Sequence, residues 1–189
     1  TVGTVREVQI AFSAAHDFVG DLKVTLISPQ GIEHLLFERT GATTSDSAGS
    51  PANLVGTSTY LYSDAPDNAN WWVAAGNADA DIPDVTARTV TAGPVDAPPP
   101  AATSLNDRFR YRPANGTWIL RFEDGRQGDT GSVTGATLIL SMGGTDREVN
   151  YAAADTNDGV CDAHCSLREA IAVIRSEEHT SELQSPCNL

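Results

Sequence analysis

Apolar residues at every second position narrow what this chain can fold into. Val8, Ile10 and Phe12 alternate with other residues, as do Leu22, Val24 and Leu26, then Trp118, Leu120 and Phe122, then Leu138, Leu140 and Met142. A period of two puts alternate side chains on one face of an extended strand, so each run reads as a half-buried strand of an antiparallel sheet. Turn residues bracket the runs. Gly20-Asp21 precedes the second run and Ser28-Pro29-Gln30-Gly31 follows it, with Ile32 to Phe37 as the return strand of a hairpin. Pro113-Ala114-Asn115-Gly116 precedes the third run, and Gly125 to Gly131 separates it from the fourth. No helical period appears before residue 160. The fold class expected for residues 1–145 is therefore all-β, an antiparallel β-sandwich or jelly roll.

Residues 41 to 107 are dominated by Gly, Ala, Ser, Thr, Asp and Pro, and Pro98-Pro99-Pro100 is expected to be extended. A structureless loop of that length is unusual in a compact domain. One short strand is expected around Tyr60 to Ser63, followed by long excursions pinned by Trp71 or Trp72. The Trp pair reads as a core plug, with an exposed binding patch as the alternative.

The texture changes again over residues 146–174. Ser166-Leu167-Arg168-Glu169 is a capping box, and Leu167, Ala170, Ile171 and Ile174 fall on one helical face. One short C-terminal helix is thus expected outside the sandwich. Cys161 and Cys165 have only His164 close by, a poor zinc set, and read as a small disulfide. Asp155-Thr156-Asn157-Asp158-Gly159 fails the EF-hand spacing and reads as a turn. Arg175 to Ser185 is similar to the translation of a standard short-read sequencing adapter, so residues 175–189 are set aside as no domain.

Composition excludes several function classes. A net charge of −13 makes nucleic acid and anionic lipid poor partners. No run of eighteen apolar residues is present, so no membrane-spanning helix is expected. His16, His34 and His164 lack surrounding motifs of catalytic type, and Gly56-Thr57-Ser58-Thr59-Tyr60 only begins like a serine-nucleophile turn. No catalytic triad is expected, and the chain is read as a non-enzyme. Asp21, Asp124 and Asp129 stand at strand ends or turns. Carboxylates gathered with turn carbonyls suit Ca²⁺, which takes six to eight oxygens. The alternative is that each Asp caps its own turn. Asn115-Gly116-Thr117 is formally a glycosylation sequon, but Asn-Gly is better explained as a tight turn.

Taken together, Gly20-Asp21-Leu22 with Ser28-Pro29-Gln30-Gly31, Tyr62-Ser63-Asp64-Ala65, and Asn115-Gly116-Thr117-Trp118-Ile119-Leu120 with Asp124 and Gly128-Asp129-Thr130-Gly131 resemble the P domain (Homo B) of kexin- and furin-type proprotein convertases. Departures are Ala136, where that family usually carries Trp, and Tyr111-Arg112-Pro113, where a Gly is common; Trp71 to Leu105 matches poorly. The resemblance implies a β-sandwich that catalyses nothing and supports a neighbouring subtilisin-like protease domain, with Ca²⁺ as a candidate ligand near Asp21, Asp124 and Asp129. Cys165-Ser166-Leu167-Arg168-Glu169-Ala170 resembles the Cys-Ser-Leu-Arg-Glu-Ala motif that opens right-handed parallel β-helices in secreted bacterial proteins, which makes residues 146–174 a truncated β-helix cap. The expected role is a non-catalytic module that stabilises or spaces a secreted or cell-surface bacterial protein. Its expected partners are an adjacent protease or β-helix domain of the same parent chain. Two alternatives stay open: the C-terminal accessory part of a subtilisin-like serine endopeptidase whose catalytic domain lies outside this chain, and an adhesion or carbohydrate-binding sandwich.

Overall fold

The computed structural model describes residues 3–76, 78–94 and 98–143. The elements run β1 (Thr4–His16), β2 (Leu22–Ile27), β3 (Glu33–Glu38), β4 (Asn53–Leu54), β5 (Tyr60–Tyr62), β6 (Ala69–Asn70), α1 (Trp71–Ala75), β7 (Asp81–Ile82), β8 (Val85–Arg88), α2 (Leu105–Phe109), β9 (Ile119–Asp124) and β10 (Gly131–Gly143). The expected C-terminal helix, Cys161 and Cys165 lie outside the described residues.

Two sheets form. In the larger, β1 is the spine: β10 pairs with it antiparallel along its length, while β5 and β4 share its other side. Beyond them, β8 adds to β5, β6 to β8 and β7 to β4, all parallel, so this sheet is mixed rather than purely antiparallel. The smaller sheet is antiparallel, in the order β3-β2-β9. All-β architecture is as the alternation implies. The parallel strands come from the stretch of residues 41 to 107, where strands of two to four residues are too short to show a period in sequence.

The period-two residues meet in one core. Val8, Ile10 and Phe12 from β1 and Leu22, Val24 and Leu26 from β2 are buried, with Leu120 and Phe122 of β9 packed against them. Phe12 meets Phe122 edge-on across the two sheets, with centroids 5.1 Å apart. Met142 departs from expectation: it is exposed, and Leu138 and Leu140 are only partly buried. The reason is position, because β10 flanks β1 on the side away from β5 and is an edge strand of the larger sheet among the described residues.

Trp71 is the plug that holds the long excursion. It is fully buried, stacks on Phe37 at 4.7 Å and donates from Nε1 to Thr40 Oγ1 at 3.0 Å. Its helix α1 is a single turn, started by Asn70, whose Oδ1 accepts from the Trp72 N–H at 2.9 Å. The second one-turn helix, α2, is capped by Ser104, whose hydroxyl accepts from the Asp107 N–H. Both helices are too short to leave a helical period, so neither was visible as alternation.

The two glycine-marked runs, far apart in sequence, are neighbours. β2 and β9 pair from Leu22 opposite Asp124 to Ile27 opposite Ile119. Gly116 sits at φ 127°, and a Cβ there would lie 2.6 Å from Pro29 Cβ, so the Asn-Gly turn closes directly onto the Ser-Pro turn. Gly20 is equally constrained by proximity: a Cβ would lie 2.5 Å from the Ala48 carbonyl oxygen.

Candidate functional site

Strand register brings the acidic ends together. Leu22 opposite Asp124 places the start of β2 beside the end of β9, and His16 opposite Gly131 places the end of β1 beside the start of β10. His16 is buried. Its Nδ1 accepts from the Phe18 N–H at 3.2 Å, which leaves Nε2 as the protonated nitrogen, facing Asp124 Oδ2 at 3.4 Å. Both ring nitrogens are therefore engaged, and His16 ties the larger sheet to the smaller rather than activating a nucleophile.

Asp124 behaves as a turn cap. Its Oδ1 accepts from the Arg126 N–H at 3.1 Å, two residues on, the Asx arrangement. That bond, with the His16 contact adding to it, holds its carboxyl below the usual carboxylate range. Asp21 differs. Its side chain is 4 % exposed, and burial pushes its carboxyl up, with Arg126 opposing and the charges of Asp129 and Asp124 adding. Arg126 Nε lies 3.3 Å from Asp21 Oδ1, an ion pair, yet that oxygen accepts no well-aligned hydrogen bond. Asp21 also anchors the turn through its backbone, its carbonyl accepting from the Gly125 N–H at 2.9 Å.

The three predicted site residues thus share one end of the sandwich. Asp21 and Asp124 are held by strand register, and Asp129 acts on Asp21 through its charge. Beside them opens a cleft of about 270 Å³ lined by Ala14, His16, Leu22, Phe122, Asp124 and Val133 among others. Among the described residues no three His, Cys, Asp or Glu side chains are gathered as a set that could hold a metal ion. The cation that faces Asp21 is the chain's own Arg126.

One working carboxylate escaped the sequence reading. Asp64 accepts from the Ser104 hydroxyl at 2.7 Å, the Leu105 N–H at 3.1 Å and the Asn106 N–H at 2.8 Å, so it holds the start of α2 from across the fold. Asn106 Oδ1 then accepts from the Val8 N–H at 2.8 Å, tying α2 to β1. Asp64 stood in the Tyr62-Ser63-Asp64-Ala65 run of the family resemblance, but nothing there assigned it to a helix start, and the Ser104-x-x-Asp107 spacing, itself a helix-start signal, went unread.

With that geometry in view, comparison with known families finds the proprotein convertase P-domain over residues 5–61. The match runs from β1 through β4 into β5 and bears out the resemblance over that span. No curated protein and no solved structure matches the chain. A P domain is an accessory, non-catalytic domain that is normally part of a protease's parent chain. The second glycine-marked run lies outside the matched residues and is joined to them by the β2–β9 ladder.

Proposed function

We propose that residues 3–143 act as a non-catalytic P-domain module that stabilises or spaces neighbouring domains of a secreted or cell-surface bacterial protein. The observation that carries this reading is the family match over residues 5–61 on a strand set completed by β9, whose Asn115 to Gly131 run is the other half of the resemblance. Chemistry is consistent with a structural role: His16, which faces Asp124, has both ring nitrogens engaged within the fold. Among the described residues no helix is long and apolar enough to cross a membrane.

The second reading is the accessory part of a convertase-type serine endopeptidase, favoured by the usual setting of P domains. Long-read sequencing of the locus separates the two. An in-frame subtilisin-type domain before Thr1 supports the protease reading. β-Helix repeats continuing from Ile174, with no such domain upstream, support the spacer. The adhesion or carbohydrate reading rests on fold analogy and the Trp pair, of which Trp71 is fully buried and Trp72 half-buried.

Ca²⁺ belongs to the same proposal. The buried Asp21 oxygen without a hydrogen bond and the nearby charges of Asp124 and Asp129 favour a cation there, although Arg126 already faces that carboxylate. A melting temperature that falls on chelation with EDTA and returns with Ca²⁺ supports a bound ion. An unchanged melting curve assigns the neutralising role to Arg126 alone.

A further inference from the structure

At the opposite end of β1 the chain spends strain on an exposed aromatic. Among the described residues two non-glycine residues have positive φ, Arg39 at 50° and Tyr111 at 65°. This left-handed region crowds Cβ, and a bulky residue there needs a compensating interaction. Arg39 has one: its guanidinium donates to the carbonyls of Ser45 at 2.9 Å and Ser47 at 2.8 Å, closing its own loop. Tyr111 has none of comparable kind. Its side chain is 62 % exposed, and the bonds that hold Tyr111 itself in the turn are backbone ones, from the Tyr111 N–H to Val5 O at 2.8 Å and from the Val5 N–H to Arg112 O at 2.9 Å. Glycine or asparagine would satisfy those bonds with less strain.

The neighbours of Tyr111 are as unusual as its backbone. Acidic residues outnumber basic ones 25 to 12 in this chain, yet Arg110 and Arg112 are both exposed and neither forms an ion pair among the described residues. Among the described residues the Arg110 side chain bonds a backbone oxygen, that of Arg6 at 3.4 Å. A turn bonded to Val5 through its backbone therefore leaves Arg110, Tyr111 and Arg112 exposed. Tyrosine and arginine are the residue types most enriched where protein partners bind, because each offers contact area or bidentate pairing at small entropic cost.

We propose that Arg110, Tyr111 and Arg112 form a docking point for a carboxylate-bearing polypeptide segment of a partner. Two guanidinium forks match carboxylates in pairs, and the ring between them covers the aliphatic part of the segment. The chain's net charge of −13 disfavours a long polyanion such as nucleic acid, whose charge extends well beyond this small patch, whereas a short acidic segment pairs at contact range.

The test uses the full chain and fluorescein-labelled hexaglutamate, read by fluorescence anisotropy at low and high salt. The expected result is salt-sensitive binding that weakens at least about fivefold in Arg110→Ser/Arg112→Ser. It also weakens in Tyr111→Asn, while the melting temperature of Tyr111→Asn stays level or rises because the strain is relieved. Absence of binding by the wild type at low salt overturns the proposal, as does binding unchanged in the variants. A lower melting temperature in Tyr111→Asn also overturns it, since the ring would then be a structural contributor. Tighter binding of oligothymidylate or of anionic vesicles than of hexaglutamate would reassign the surface.

Discussion

Acidification should destabilise this fold in part through His34. His34 lies on β3 with Nε2 2.9 Å from Thr89 Oγ1, and the Thr89 hydroxyl in turn donates to the Thr103 carbonyl at 3.1 Å. The ring packs edge-on against Phe109, with centroids 6.0 Å apart. Burial lowers the pKa from 6.5 to about 4; Arg108 pushes the same way and Asp64 opposes both. The unfolded chain therefore takes up a proton near pH 6.5 that the folded chain refuses until about pH 4. Stability from this group is complete above the unfolded value and is lost as pH falls toward the folded one, at about 1.4 kcal/mol per pH unit within the window. Between pH 7.5 and pH 4.5 the loss is about 2.5 kcal/mol. His34→Gln keeps an amide donor for Thr89 and does not titrate. Urea unfolding of wild type and variant at pH 7.5, 6.0 and 4.5 gives two curves in which the carboxylates contribute equally. Their difference should shrink by about 2.5 kcal/mol on acidification. Parallel curves refute the reasoning, because His34 would then titrate alike in both states.

Two further substitutions test the packing logic by the same unfolding assay. Trp71→Ala removes the ring that contacts Phe37, Tyr60 and Tyr62 together with the bond to Thr40, and should cost about 3–5 kcal/mol. Asp64→Ala leaves the Ser104 hydroxyl and the Leu105 and Asn106 N–H groups without their acceptor, for about 2–3 kcal/mol, and Asp64→Asn should recover part of that.

How much of the fold was legible depended on strand length and on local chemistry. β1, β2 and β9 each carry enough alternating residues to show their buried face, and the hairpin turn at Ser28 to Gly31 joins β2 to β3 in sequence. Tyr60 to Tyr62 was legible because its aromatic residues stand alone in a small-residue stretch. β4, β6 and β7 are two residues each and are defined only by the strands they join, so no window of sequence contains their signal. The same holds for α1 and α2, which exist because Trp71, Leu105 and Phe109 must be buried and Asn70 and Ser104 can cap the turns that bury them. Tertiary burial, rather than helical propensity, decides a single turn.

The candidate site was legible as residues but not as relationships. Asp21 and Asp124 both stood beside a strand in sequence, yet only the antiparallel register of β2 and β9 puts the two acids side by side. Once there, they take different roles. Asp124 keeps solvent access and caps its own turn. Asp21 loses solvent and pairs with Arg126, which lies about a hundred residues away in sequence and comes near only because β9 pairs with β2. His16 completes the contrast. It closes the alternation of β1 at a position where an apolar residue would fit the core pattern, and its ring bridges the backbone at Phe18 and the carboxylate of Asp124. An acid at the end of each of two paired strands is thus a repulsion that the fold offsets with one cation and one imidazole from other elements. That arrangement gives the buried acid and its neighbours partners within the fold. At the other end of β1, the exposed Tyr111 ring and the Arg110 and Arg112 charges are offset by no carboxylate among the described residues, and that asymmetry between the two ends is what separates a structural charge cluster from the proposed docking surface.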